Sequence, residues 1–254
     1  MIRRDETTEE GKPQWILFTQ VAHAHLAFEI AKVWGRGEVK GVEPREELLQ
    51  AVKHHDDGWT AWEQAPQVDQ VTGQPLDFTE LELEPALNIW RGSIEESRQF
   101  GPLAGSVVSQ HFMHLLGVRN LRVAERSIAQ AFEAEQQAKQ QEWLKDWQAI
   151  NPSENRPEVV RRGLRHLQMF DWFSLWLLMR PPQPYVARTP EEVEVTWNPI
   201  TPFEITLSPW PLAVDRLTLR MAGRVVPRQA FPNAKALAEV PLVQRFLEFT
   251  LHPA

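Results

Sequence analysis

Ala51-Val-Lys-His-His-Asp-Asp-Gly-Trp-Thr-Ala-Trp62 places two histidines, two aspartates and two tryptophans side by side. It closes a helical pattern that opens near Arg45, behind Pro44, and proline suits a first helical turn. At about 100° per residue, Leu48, Leu49, Val52 and Trp59 mark an apolar face. His55 and Asp56 each follow a leucine of that face by two helical turns, so both are expected to point inward. His54 and Asp57 fall beside Glu47, Gln50 and Lys53, on the wetter side. An imidazole and a carboxylate turned together into a core are costly without a partner. A metal ion is the partner that suits both.

The same reading extends outward. A first helix is expected from about Trp15 to Trp34, ending at glycine 35, where glycine favours a C-terminal cap. Its inward stripe of Ala27, Ile30, Ala31 and Trp34 includes His23, whereas His25 sides with Glu29 and Lys32. A helix from about Pro102 to Val118 puts His111 and His114 along Val107, Val108, Leu115 and Val118. A helix over about 158–179 sets Asp171 among Leu164, Leu167, Leu175 and Leu178, while His166 aligns with Phe170 and Phe173. Residues 63–85 are polar and broken by prolines; a loop of that length often covers a site. Helices over about 86–100 and 121–150 complete this part.

Beyond Pro181-Pro182 the period changes to two. Val193, Val195 and Trp197, then Phe203, Ile205 and Leu207, then Leu217, Leu219 and Met221 alternate with polar residues, and Leu247, Phe249 and Leu251 suggest a last strand. Ala222-Gly223 offers a turn back through residues 224–226. The expected architecture is mainly α, a helical bundle over residues 1–182. A small antiparallel sheet of four or five strands, residues 183–254, would pack on it.

Composition narrows the function. With 254 residues and 43% apolar side chains, a substantial core is expected. A net charge of −7 provides no basic field for nucleic acid or an anionic membrane. Without cysteine there are no disulfides and no thiolate-held metals. The N-terminus lacks the apolar run of a signal peptide, so a cytoplasmic protein with no nucleic-acid or membrane partner is expected. The oligomeric state is not legible.

His23, His55, Asp56 and Asp171 are the expected ligands of one ion, with His111 close enough to support a second. Mixed imidazole and carboxylate donors suit a divalent transition metal, Mn, Fe, Zn, Co or Ni, as one or two ions. The order His, then His-Asp, then a distant Asp resembles the metal site of the HD superfamily of metal-dependent phosphohydrolases. Gln20-Val-Ala-His-Ala, His55-Asp-Asp-Gly-Trp, Thr72-Gly-Gln-Pro, Ser109-Gln-His, Phe170-Asp-Trp-Phe-Ser-Leu and Ser208-Pro-Trp-Pro look like an uncharacterised bacterial domain-of-unknown-function family associated with that superfamily.

The resemblance implies metal-dependent hydrolysis of a phosphate ester or related small anionic substrate. Under it, Asp57 is the candidate to orient a water, and Lys53, Arg91 and Arg165 are candidates to hold an anion. Trp59 and Trp62 would wall the pocket, with the 63–85 loop over it. The Gly-Tyr-Pro element of the cyclic-dinucleotide branch is missing, so that substrate is not implied. The alternatives are a non-catalytic metal- or ligand-binding module in the same pocket and an ion-free hydrogen-bond network.

Overall fold

Two strands, β1 (Ile2–Thr7) and β2 (Pro13–Phe18), precede every helix in the computed structural model, which describes residues 1–254. They pair antiparallel, with Ile2 opposite Phe18. The run Trp15-Ile-Leu-Phe in β2 is buried at every position. A strand covered on both faces reads as a continuous apolar run without alternation. The expected helix from Trp15 is therefore a strand followed by α1 (Gln20–Lys32). Thr19 sets the start of α1, its hydroxyl accepting the Ala22 N–H at 3.1 Å.

α2 (Arg45–His54) ends where the key pair begins, instead of running on to Trp62. A 3-10 turn at Asp57–Trp59 and the short α3 (Thr60–Glu63) follow. The break is held from α4 (Leu83–Arg98). Ser93 Oγ accepts the Gly58 N–H at 3.0 Å, and Ser97 Oγ donates to the His54 carbonyl at 3.2 Å. A side chain at residue 58 would put its Cβ 2.1 Å from the Ile89 carbonyl oxygen. Glycine is thus what lets the turn lie against α4.

α5 (Pro102–Val118) has the expected bounds, with proline in its first turn. Glu47 of α2 accepts the Leu103 and Ala104 N–H groups at 2.7 and 3.1 Å. Those are donors that a helix start leaves unpaired, so the contact fixes α5 against α2. Next come α6 (Arg126–Ile150) and α7 (Pro157–Leu178). α7 packs on α1, α2 and α5, so these four helices share one interior. No helix is long and apolar enough to cross a membrane.

The chain ends in β3 (Tyr185–Arg188), β4 (Glu194–Thr201), β5 (Glu204–Ser208), β6 (Leu217–Pro227), α8 (Ala234–Ala238) and β7 (Val243–Pro253). With β1 and β2 they form one seven-stranded sheet in the order β1-β2-β6-β7-β5-β4-β3. All neighbours are antiparallel except β5 and β7. The expectation of a mainly helical bundle with a small C-terminal antiparallel sheet is overturned: this is an α/β fold with a large mixed sheet.

Two local signals misled. Gly223 does not turn the chain; β6 runs straight through it. A Cβ there would lie 2.3 Å from Ile16 and 2.6 Å from Phe18, so this glycine makes room for side chains of β2. The charged look of β1 hides Arg4, which is fully buried and donates to the Leu177 carbonyl at 3.0 Å, at the end of α7. Trp197 of β4 stacks on Phe173 of α7, ring centres 3.9 Å apart, and ties the other half of the sheet to the same helix.

Candidate metal centre

Five side chains from four places in the fold converge inside the helical part. His23 comes from α1, His55 and Asp56 from the break after α2, His111 from α5 and Asp171 from α7. His23, His55, Asp56 and His111 are buried, and Asp171 nearly so. His23 Nε2 lies 2.8 Å from Asp56 Oδ2 and 3.6 Å from Asp171 Oδ1. His55 Nε2 lies 3.3 Å from Asp171 Oδ1 and 3.6 Å from Asp56 Oδ2. His111 Nε2 lies 3.8 Å from Asp171 Oδ2. Two overlapping groups, His23–His55–Asp56 and His55–His111–Asp171, each bring three donor atoms within 4.8 Å of one another. Either group can hold a metal ion.

Their outer contacts decide what the inner atoms need. Ser174 Oγ donates its one proton to the Asp171 carbonyl at 2.8 Å, so it accepts from His23 Nδ1–H, also at 2.8 Å. His55 Nδ1 faces the Val52 carbonyl at 2.7 Å, an acceptor only, and so carries a proton too. In neutral form both rings then turn unprotonated Nε2 atoms toward two carboxylates. Lone pairs facing anions at these distances require a cation between them, either a proton or a metal. A histidine whose outer N–H is fixed by a carbonyl or hydroxyl while its other nitrogen faces a carboxylate cluster is the usual arrangement around a bound metal. The residues present therefore fit a divalent ion.

With no ion bound, a proton on His55 is the cation that the carboxylates hold, and a metal would displace it. Burial alone would push His55 down, yet Asp56 and Asp171 outweigh it and lift it to about 9. Burial alone would raise Asp171, but the hydrogen bond from His55 and the nearby imidazoles hold it at about 2. Burial pushes His111 down to about 4, so this ring stays neutral, as a metal ligand must. Its Nδ1 has no hydrogen-bond partner.

The cluster opens on a cavity of about 230 Å³ that is lined by His23, Asp56, His111 and Asp171. Trp59 lines it; Trp62 stands behind, edge-on to Trp59 at 5.5 Å. Phe78 and Thr79 of the 63–85 loop line it as well. Asp57 lies outside the lining and is bound to His54, 2.6 Å from its Nδ1. Lys53 sits over the Phe28 ring, 5.6 Å from its centre. Arg91 is paired with Glu135 at 2.8 Å, and Arg165 donates to the carbonyls of Thr189 and Pro190. His25 is exposed as expected, but His114 is exposed too, contrary to expectation. It lies one helical turn beyond His111, where α5 reaches solvent.

Sequence reasoning passed over Ser174 and Arg119. Ser174 lies one turn after Asp171 on α7, spacing that does put it on the same face. Arg119 lines the cavity from the residue after α5, where no helical periodicity reaches. A family model described as a protein of unknown function, DUF3891, matches residues 1–228. Nothing in that match links the chain to the HD superfamily. Neither the curated proteins nor the solved structures offer a match.

Proposed function

We propose, for a chain that belongs to the DUF3891 family of proteins of unknown function, a divalent-metal-dependent hydrolase acting on a phosphate ester or related small anionic substrate. The observation that carries the reading is the pair of imidazoles, His23 and His55, with protons committed outward and Nε2 atoms aimed at Asp56 and Asp171. These four residues would hold the ion, with His111 beside them. Their chain order matches the HD pattern, and we extend the proposal to a distant kinship with that superfamily. A bound divalent ion would lower the pKa of a coordinated water and polarise a phosphoryl oxygen.

The chain's own residues supply the rest. Ser174 and the Val52 carbonyl fix which nitrogen of each ring faces the centre. His55 is common to both donor groups, and Asp171 meets His55 through one oxygen and His111 through the other. Trp59 and Phe78 give the cavity part of an apolar wall, beside which electrostatic contacts are screened less than in bulk water. No proton transfer is assigned to Asp57 or Lys53, because neither lines the cavity.

Elemental analysis of the purified protein, followed by a screen of the metal-loaded form on generic phosphomonoesters, phosphodiesters and nucleotides, tests the proposal. A stoichiometric transition metal with turnover of one class is the expected result. A metal-free protein that takes up none on reconstitution would overturn it in favour of an ion-free network. Tight metal with no turnover favours the second reading, a metal- or ligand-binding module. The outward placement of Asp57 and Lys53 supports that alternative.

A further inference from the structure

The metal cluster leaves two features of its cavity unused, an aromatic wall and a single cationic side chain. Trp59 and Trp90 are almost fully buried and both line the cavity. Trp90 is fixed by stacking on Phe112, ring centres 5.2 Å apart and planes 19° apart. Arg119 donates from Nη2 to the Leu81 carbonyl. Neighbouring arginines are neutralised, Arg91 by Glu135 and Arg122 by Glu125, but Arg119 has no carboxylate partner, and no other lysine or arginine lines the cavity. Gln20, buried in the same lining, has a side-chain oxygen without a hydrogen-bond partner. Buried polar atoms in that state call for a ligand or a water.

Resting on the hydrolase reading above, we infer that the substrate is a compact anionic ester with one phosphate-like group and a flat apolar organic part. Arg119 binds the anion, and Trp59 and Trp90 flank the organic group. One guanidinium presents one planar fork, matched to one phosphate or carboxylate. A polyphosphate would bring charge that this lining does not answer. At about 230 Å³ the cavity is also smaller than the roughly 300–1,000 Å³ of sites for drug-sized ligands. A mononucleotide is therefore a poor fit, whereas an aryl phosphate suits both the volume and the wall.

The test uses the full chain loaded with the metal that it retains, titrated with methylphosphonate, phenylphosphonate and AMP by calorimetry and tryptophan emission. Phenylphosphonate is expected to bind about tenfold or more tighter than methylphosphonate, from burial of its ring. AMP should bind no tighter than methylphosphonate. Arg119→Gln should weaken both phosphonates by about tenfold or more, with partial recovery in Arg119→Lys. Equal binding of the two phosphonates, tighter binding of AMP, or wild-type affinity in Arg119→Gln would overturn the inference. If Arg119→Gln does not fold, the ranking of the three ligands on the unaltered protein still decides. An aryl preference in binding without turnover of phenyl phosphate counts against the hydrolase reading alone. Turnover of generic phosphoesters with no aryl preference counts against this inference alone.

Discussion

His54 and Asp57 form one imidazole–carboxylate pair, and His55 and Asp56, enclosed between them in the chain, form another with the opposite fate. The outer pair closes on itself at 2.6 Å, half-exposed, with His54 stacked on Phe100 at 4.3 Å. The inner pair is buried and does not close: His55 Nε2 and Asp56 Oδ2 are 3.6 Å apart. His55 turns to Asp171 of α7 and Asp56 to His23 of α1. Identical residue types can thus be a local ornament or the meeting point of several elements. What separates them is which side of the α2 break each one leaves, and Gly58 against α4 sets that.

The contrast should be widest in metal retention. Asp56→Ala is expected to lose its metal entirely while Asp57→Ala keeps it, read by elemental analysis after gel filtration. Metal bound equally by both variants would erase the distinction. Chelation should come next. With free metal at a thousandfold over Kd, its removal should cost about 4 kcal/mol, or roughly 8–16 °C in Tm for a chain of this size. A Tm indifferent to chelator would mean that the inner cluster is a hydrogen-bond network.

Ser174→Ala should weaken metal binding by about 10–100-fold with the fold intact, since it frees the outer nitrogen of His23. Competition against a chromophoric chelator measures this, and unchanged affinity would remove Ser174 from the site. His166 supplies a third case, an imidazole buried without carboxylates. It stacks parallel on Phe170 at 5.8 Å. Burial and the charges of Arg162 and Arg165 push it from 6.5 to about 4. Between those values the unfolded chain binds a proton that the folded one refuses. Its stabilising effect is therefore complete above pH 6.5 and is lost as pH falls toward 4, by up to about 3 kcal/mol. His166→Phe, compared with wild type under chelator in denaturant titrations at pH 7 and pH 4.5, should lose less stability on acidification; parallel losses would contradict the assignment. Smallest of all, Asp57→Ala should cost less than about 1 kcal/mol in stability, because the outer pair is half-solvated.

Helical periodicity places His23, His111 and Asp171 inward on helices that exist. His55 and Asp56 also point inward, although the helix whose repeat suggests it stops at His54 and the break after it does the placing. α5 began and ended where its Pro102 and its apolar stripe indicate. The sheet was legible only where one face meets polar surroundings, as in β4, where buried Val195 and Trp197 alternate with exposed neighbours. β2 hid because both its faces are covered, and β1 because a buried arginine serves a helix end. Ser174 was within reach of the helical repeat, but Arg119 was not, since its place depends on how α5 ends near Leu81.

The pairing of β2 with β6 sets Gln14 opposite Pro227 and Leu17 opposite Arg224. During synthesis at about 5–20 residues per second, the first hairpin must wait roughly 10–40 s for the strand that covers its open edge. Chain closure over such a span is slow in refolding as well. A nascent chain halted before β6 would expose the apolar stripe Trp15–Phe18 as an unpaired template, the condition under which strands recruit one another into aggregates. Expression yield of this protein should accordingly be sensitive to translation speed and to holdase chaperones acting on its first twenty residues.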